Sequence, residues 1–131
     1  MPLPLEEWAE RYARAWENAD AEAACALFTE NATYRSDPFQ EPYRGREEIR
    51  RYWREVTAGQ ANVEVAIGRT MAVGSRALVE WWTQMDSGGA PVTLPGALLL
   101  ELDENGLCRA LREYWNVEAG RRIPPPDGWG S

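Results

Sequence analysis

The spacing of apolar residues predicts three helices in the first half of the chain. From Leu5 to about Asn18, apolar side chains recur every three or four positions, as on one stripe of an amphipathic helix. This stripe consists of Trp8, Tyr12, Ala15, Trp16 and Ala19. A short second helix is predicted from Ala21 to Phe28, with Asp20 as its N-cap. The same periodicity predicts a third helix from Arg46 to Thr57.

Most of the remaining chain alternates between apolar and polar residues, as half-buried β-strands do. Turn-forming residues separate the alternating segments. Strands are therefore predicted at about Ala32 to Arg35, Asn62 to Met71, Ala77 to Met85, Val92 to Asp103 and Leu107 to Val117. Helices followed by antiparallel strands predict an α+β fold, a cone-shaped α+β barrel. In it, a curved, mostly antiparallel sheet holds the three N-terminal helices in its concave face and leaves room for a ligand.

One domain is expected for residues 1–131, because a chain of this length buries roughly two-thirds of its unfolded surface in a single core. Residues 118–131 are rich in proline and glycine and are predicted to form a C-terminal tail. The extended backbone of such a tail could hold Trp129 over an apolar rim.

The charge and hydropathy of the chain bear on its partners and location. It has 21 acidic and 14 basic residues and a net charge of −7, which argues against nucleic acid and anionic membranes as partners. No apolar stretch approaches the roughly 20 residues of a membrane-spanning helix. The segment Met1 to Glu7 also lacks the pattern of a signal peptide, so a cytoplasmic location is expected.

The absence of histidine narrows the possible chemistry more than any motif does. Acid–base catalysis must use Asp, Glu, Tyr or Cys, and Ser-His-Asp and Cys-His triads are excluded. Histidine is also the commonest ligand of catalytic metals. The two cysteines, Cys25 and Cys108, lack the spacing of a metal site. We therefore expect no metal and no cofactor.

Glu113 interrupts the apolar face of the last predicted strand. Strand alternation places it on one side together with Leu111, Trp115 and Val117. A carboxylate in such surroundings loses hydration, and its pKa should rise unless a cation or a hydrogen-bond donor meets it. Two interpretations stay open: a proton-transfer group in a cleft, or a glutamate paired with an arginine of a neighbouring strand.

The order of these elements, together with several short motifs, resembles the NTF2-like superfamily, and within it the SnoaL-like branch and the ketosteroid isomerases. The motifs are Arg11-Tyr12-Ala13, Ala26-Leu27-Phe28, Asn31-Ala32-Thr33, Asp37-Pro38 and the segment from Gly45 to Trp53. The resemblance spans residues 5 to 118 and implies the cone fold. It leaves the activity open, because the superfamily contains isomerases, dehydratases, epoxide hydrolases, cyclases and non-catalytic association domains.

The resemblance also implies roles for single residues. Tyr12 is similar to the tyrosine that donates to the substrate oxyanion in ketosteroid isomerases, and Asp37 is similar to their general base. Their second oxyanion donor, a protonated aspartate, falls near Leu98, so this chain lacks it. Limonene epoxide hydrolases carry an inward acid at the position similar to Glu113. Their partner arginine and second aspartate fall near Glu80 and are replaced.

The predicted catalytic residues are Glu113, Asp37 and Tyr12. The predicted ligand-binding residues are Trp16, Tyr34, Trp53, Glu80, Trp82, Leu98 and Trp115. If Glu80, Trp82 and Gln84 point inward, they bring a second carboxylate near Glu113. The orientation of this strand stays open, because a slip of one residue puts Glu80 on the solvent-facing side of the sheet. Purely structural roles are the alternatives, with Asp37 capping a turn and the aromatic residues packing the core.

The site predicts a cofactor-independent acid–base enzyme that acts on a small hydrophobic oxygenated molecule by isomerisation, cyclisation, dehydration or epoxide hydrolysis. The alternative is a non-catalytic domain that binds a small molecule or another protein. Under both hypotheses we expect a homodimer formed through the outer sheet face, with Tyr114 and Trp81 in the contact.

Overall fold

Three helices are present in the computed structural model, which describes residues 2–131. They are α1 (Leu5–Glu17), α2 (Ala21–Cys25) and α3 (Gly45–Ala58). Asp20 caps α2 as predicted, because its side chain accepts a hydrogen bond from the backbone N–H of Ala23 at 3.0 Å. The second helix is shorter than predicted, since Phe28 already belongs to the first strand.

Seven strands form one mixed sheet. They are β1 (Phe28–Arg35), β2 (Tyr43–Arg44), β3 (Gln60–Val73), β4 (Arg76–Ser87), β5 (Ala90–Leu102), β6 (Cys108–Trp115) and β7 (Glu118–Ala119). The order is β2-β1-β6-β5-β4-β3, with β7 paired to β5. All pairs are antiparallel except β1 with β6. The α+β prediction is confirmed, but the curved sheet does not close into a barrel.

The aromatic stripe of α1 packs against the concave face of the sheet. Trp8, Tyr12 and Trp16 are all buried. The rings of Trp8 and Tyr12 stack at 5.3 Å, and Trp16 meets Trp81 of β4 edge-on at 5.1 Å. Aromatic side chains bury large apolar areas and interact favourably in these geometries, so this layer joins helix and sheet.

The structure decides the orientation of β4, which the sequence left open, and it places the predicted ligand-binding residues Glu80 and Trp82 on the outer face. Val79, Trp81, Thr83 and Met85 face the core, whereas Glu80, Trp82 and Gln84 lie on the outer face. Two adjacent tryptophans make the alternation ambiguous, and the pairing with β5 decides it. Trp81 lies opposite Gly96, where a Cβ atom would come within 2.7 Å of its ring carbon Cε2. Glycine at this position therefore makes room for the Trp81 ring.

The C-terminal tail crosses the outer face of the sheet. After β7 pairs with β5, the Trp82 indole N–H donates to the carbonyl of Ile123 at 2.8 Å. Thr93 holds the same segment, since its hydroxyl donates to the carbonyl of Arg121 and accepts from the N–H of Ile123. Trp129 is held against an apolar surface, but that surface is the outer sheet face near Trp82, with ring centroids 5.7 Å apart.

The expected dimer contact needs one correction. Trp81 is 1% exposed inside the core, so it cannot contribute to a contact through the outer face. Tyr114 does lie on the outer face and is 43% exposed. Homodimerisation stays a prediction, and the tail would have to be part of any contact over β3 to β5.

Candidate functional site

A cavity of about 310 Å³ lies between the helices and the concave face of the sheet. Its walls are mostly aromatic, formed by Trp16, Tyr34, Tyr52, Trp53, Trp81 and Trp115. Three exposed apolar residues mark its opening, namely Val56, Trp115 and Val117, which are 37%, 46% and 55% exposed. The volume falls at the lower end of the roughly 300 to 1,000 Å³ that is typical of small-molecule sites.

Glu113 projects into this cavity from β6 and is 8% exposed. Its Oε1 accepts hydrogen bonds from the hydroxyls of Tyr34 at 3.0 Å and Tyr12 at 3.3 Å. The two tyrosine oxygens are 2.9 Å from each other. Within residues 2–131 no arginine forms an ion pair with Glu113, and the basic residues of the chain are all arginine. The structure therefore shows the glutamate in a cleft, without a paired cation.

Burial raises the pKa of Glu113 to about 7, and the hydrogen bonds from Tyr34 and Tyr12 hold that pKa lower than burial alone would. Burial also raises the pKa of both tyrosines well above their ordinary value, and the charge of Glu113 raises it further. The two hydroxyls thus stay protonated at physiological pH. Glu113 itself is populated in both protonation states near neutrality.

The three oxygens of this cluster form a closed triangle. When Glu113 is ionised, the two tyrosine protons serve three oxygen–oxygen contacts, so one contact lacks a proton. A proton on Oε1 of Glu113 would supply the third and complete the ring, whereas a proton on Oε2 would lie outside it. The other carboxyl oxygen, Oε2, makes no hydrogen bond within residues 2–131 and is not fully buried. Oε2 is therefore the oxygen that a bound molecule can reach.

Tyr12 does not donate freely into the cavity as the predicted oxyanion donor would. Its hydroxyl is shared between Glu113 and Tyr34. The position of Leu98 also agrees with a missing second donor, because this apolar residue pairs directly with Glu113 and is fully buried. In the arrangement described here, Tyr12 acts on the protonation state of Glu113.

The structure does not bring Asp37 into the Tyr12 and Glu113 cluster. Its carboxylate caps a turn by accepting the backbone N–H of Phe39 at 2.9 Å. Asp37 and Glu80 line a separate hollow of about 640 Å³, which also borders Trp115 and Glu113. Glu80 and Trp82 do not line the main cavity because they lie on the outer face of β4, and Leu98 does not line it either. Trp16, Tyr34, Trp53 and Trp115 do line it.

Several lining residues were not predicted as part of the site, among them Tyr52, Trp81 and Gln60. Tyr52 lies on the apolar stripe of α3 and is half-buried, so its contact with the core was foreseeable but its place in the site was not. Trp81 would have followed from the opposite orientation of β4. Nothing in the local sequence singles out Gln60, which enters the site only through the pairing of β3 with β4.

No three Asp, Glu or Cys side chains come together as a possible metal site within residues 2–131. Cys25 and Cys108 are separate buried thiols. None of the described helices is long and apolar enough to cross a membrane.

The helices, the curved mixed sheet and the cavity between them define the protein as an α+β cone of the NTF2-like class. The family model of the SnoaL-like domain matches residues 9–111. The chain therefore belongs to the SnoaL-like family. A search of the curated proteins gives no match.

Several solved structures share this fold. One is SalBIII, which is described as an epoxide hydrolase/cyclase-like enzyme in pyran ring formation in the polyether salinomycin. It is 21% identical to this chain and has a TM-score of 0.76. The match covers 87% of this chain and 94% of that one. Another is a hypothetical protein from Catenulispora acidiphila with a ketosteroid isomerase-like fold, in complex with trimethylamine. It is 25% identical and has a TM-score of 0.75, and the match covers 82% of this chain and 84% of that one. An LEH-like epoxide hydrolase from M. tuberculosis is 23% identical and has a TM-score of 0.69. The match covers 83% of this chain and 80% of that one.

Proposed function

We propose that the protein is a cofactor-independent acid–base enzyme that acts on a small, hydrophobic, oxygenated molecule bound in the cavity. Glu113 is the proton-transfer group, and Tyr12 and Tyr34 set its protonation state. One observation carries the proposal: a buried carboxyl group without a paired arginine in the described chain, held by two tyrosine hydroxyls at the wall of an apolar cavity. Two structural relatives described as epoxide hydrolase-like proteins support an enzymatic role.

The pKa of Glu113 suits this role. A general acid or base works best when its pKa is near the operating pH. Both protonation states are then populated, and the proton transfer keeps its driving force. Burial brings the pKa of Glu113 to about 7. When Glu113 is ionised, Oε2 can remove a proton from carbon, and the proton then held on Oε2 can be donated to another ligand carbon or to a ligand oxygen.

Glu113 is the only Asp or Glu side chain of residues 2–131 that lines the main cavity. Dehydration and hydrolysis commonly use one acid and a separate base, and this cavity offers no second carboxylate. A single group suffices when it removes a proton and returns it to a nearby position. We therefore favour isomerisation next to a carbonyl group among the four reaction types, with Glu113 carrying the proton between two carbons.

The test is proton exchange in a hydrophobic ketone. 2-Decalone is incubated with the protein in D₂O near pD 7.5, and loss of the protons next to the carbonyl is followed by NMR. We expect protein-dependent exchange that falls by about 10² to 10⁴-fold in Glu113→Gln. Glu80→Gln, which removes a carboxylate from the outer face, is the matched control and should exchange like the wild type. Equal rates for wild type and Glu113→Gln would contradict the proposal.

The exposed apolar rim favours one alternative, a binding domain without catalysis. Val56, Trp115 and Val117 surround the opening and could contact a ligand or a partner protein. Under this alternative, 2-decalone would bind and quench tryptophan fluorescence, but its protons would exchange no faster than in buffer. Binding with enhanced exchange supports the enzyme, and binding without exchange supports the binding domain.

A further inference from the structure

Gln60 presents an oriented hydrogen-bond donor to the main cavity. It is the first residue of β3 and lines the cavity wall. The indole N–H of Trp16 donates to its Oε1 at 2.8 Å. Because an indole nitrogen can only donate, the amide oxygen must face Trp16 and the NH₂ group must point away from that bond. Nε2 makes no hydrogen bond within residues 2–131 and is not sealed from contact.

Gln60 and Glu113 lie at different ends of the cavity. Gln60 pairs with Ser87 beside the β4–β5 turn, whereas Glu113 pairs with Leu98 farther along β5. Two residues of α1 connect these groups, since Tyr12 contacts Glu113 and Trp16 contacts Gln60. Tyr12 and Trp16 are one helical turn apart, about 6 Å along the axis. Their ring centroids are 6.4 Å apart, and the two polar groups lie beyond these rings.

Aromatic rings occupy the walls between the two polar groups. Trp16, Trp53 and Trp81 all line the cavity, so a molecule that reaches both ends passes apolar surface in between. No arginine of residues 2–131 lines the cavity, and a carboxylate or phosphate at the Gln60 end would therefore lack a charged partner. The amide NH₂ fits an uncharged acceptor, such as a carbonyl or ether oxygen.

We propose that Nε2 of Gln60 binds an uncharged acceptor oxygen at the end of the substrate remote from Glu113. The substrate is accordingly an elongated hydrophobic molecule with two separate oxygen functions, one at Glu113 and one at Gln60. This inference rests on the proposed function, because only that function makes the substrate end at Glu113 the end that reacts. Ligand preference can be measured without turnover, so the two proposals can fail separately.

The test compares two ketones with the same carbon skeleton. Bicyclohexyl-4,4'-dione has a carbonyl group at each end, and 4-cyclohexylcyclohexanone has only one. Isothermal titration calorimetry gives the affinity of each for the wild-type protein. The symmetric dione has a twofold statistical advantage, and one additional hydrogen bond adds about three- to tenfold. We expect the dione to bind tighter by more than the statistical factor.

Two variants assign this preference to Gln60. Gln60→Leu removes the amide, and the isosteric Gln60→Glu replaces the donor with an acceptor, so both should reduce the preference to about twofold or less. Trp16→Phe keeps a ring in the wall but removes the N–H that orients the amide, and it should weaken the preference. A preference that survives in both Gln60 variants would overturn the inference, as would wild-type protein that binds neither ketone or both alike.

Proton exchange of 2-decalone separates this inference from the proposed function. Glu113→Gln should lose exchange, whereas Gln60→Leu should lose the preference for the dione. A wild-type preference for the dione without any proton exchange would refute the enzyme and leave the role of Gln60 in ligand recognition intact.

Discussion

Replacing Glu113 with glutamine should stabilise the protein at alkaline pH. The pKa of Glu113 is about 7 in the folded protein, against an ordinary value of 4.5, because burial disfavours the charged carboxylate. Below pH 4.5 the group is neutral in both the folded and the unfolded state, and folding carries no penalty from it. As the pH rises from 4.5 through 7, the unfolded state ionises first, so the free energy of unfolding decreases.

The size of the effect follows from the change in pKa. One pKa unit corresponds to 1.36 kcal/mol, so a change from 4.5 to about 7 corresponds to about 3 kcal/mol once both states are ionised. Part of this loss has already occurred at pH 5.5. Between pH 5.5 and 8.5 the wild type should therefore lose about 2 kcal/mol relative to Glu113→Gln.

Urea denaturation of both proteins at pH 5.5, 6.5, 7.5 and 8.5 measures this difference. Subtracting the two curves removes the contribution of the other carboxylates, which the two proteins share. Glu80→Gln, on the outer sheet face, controls for the loss of one negative charge. A wild-type minus Glu113→Gln difference that stays constant within 0.5 kcal/mol would refute the reasoning, because it would mean that the carboxylate is hydrated or paired.

Three further changes test the site and the fold. Tyr34→Phe removes a hydrogen bond that lowers the pKa of Glu113, so the Glu113 δ-carbon signal should titrate at higher pH than in the wild type, and an unchanged midpoint would contradict the triangle. Gly96→Ala places a Cβ atom 2.7 Å from Cε2 of Trp81 and should cost about 1 to 3 kcal/mol in urea denaturation, whereas Gly59→Ala meets no atom within 4 Å and should cost much less. Trp129→Ala removes the ring packed on Trp82 and should cost about 1 to 3 kcal/mol, with proton exchange of 2-decalone unchanged; a loss of exchange would mean that the tail acts on the cavity.

The helices and the special character of Glu113 could be predicted because both depend on local sequence. A stripe of apolar residues at helical spacing specifies which face of α1 is buried, and this face packs on the sheet as expected. A charged residue on the apolar face of β6 must lose hydration whatever its neighbours are. The local sequence could not predict the two tyrosine donors or the absence of a paired arginine in the described chain. Tyr34, for example, is 79 residues away from Glu113.

The sequence by itself determined the α+β class, the buried face of α1 and the desolvated acid of β6, because apolar periodicity and the hydration of charge act within a single element. Only the tertiary structure decided which face of β4 lines the cavity, since the room above Gly96 comes from another strand. It also excluded Asp37 from the Glu113 cluster and brought Gln60 to the cavity wall. These placements depend on strand register and on contacts between distant residues, which no local pattern encodes.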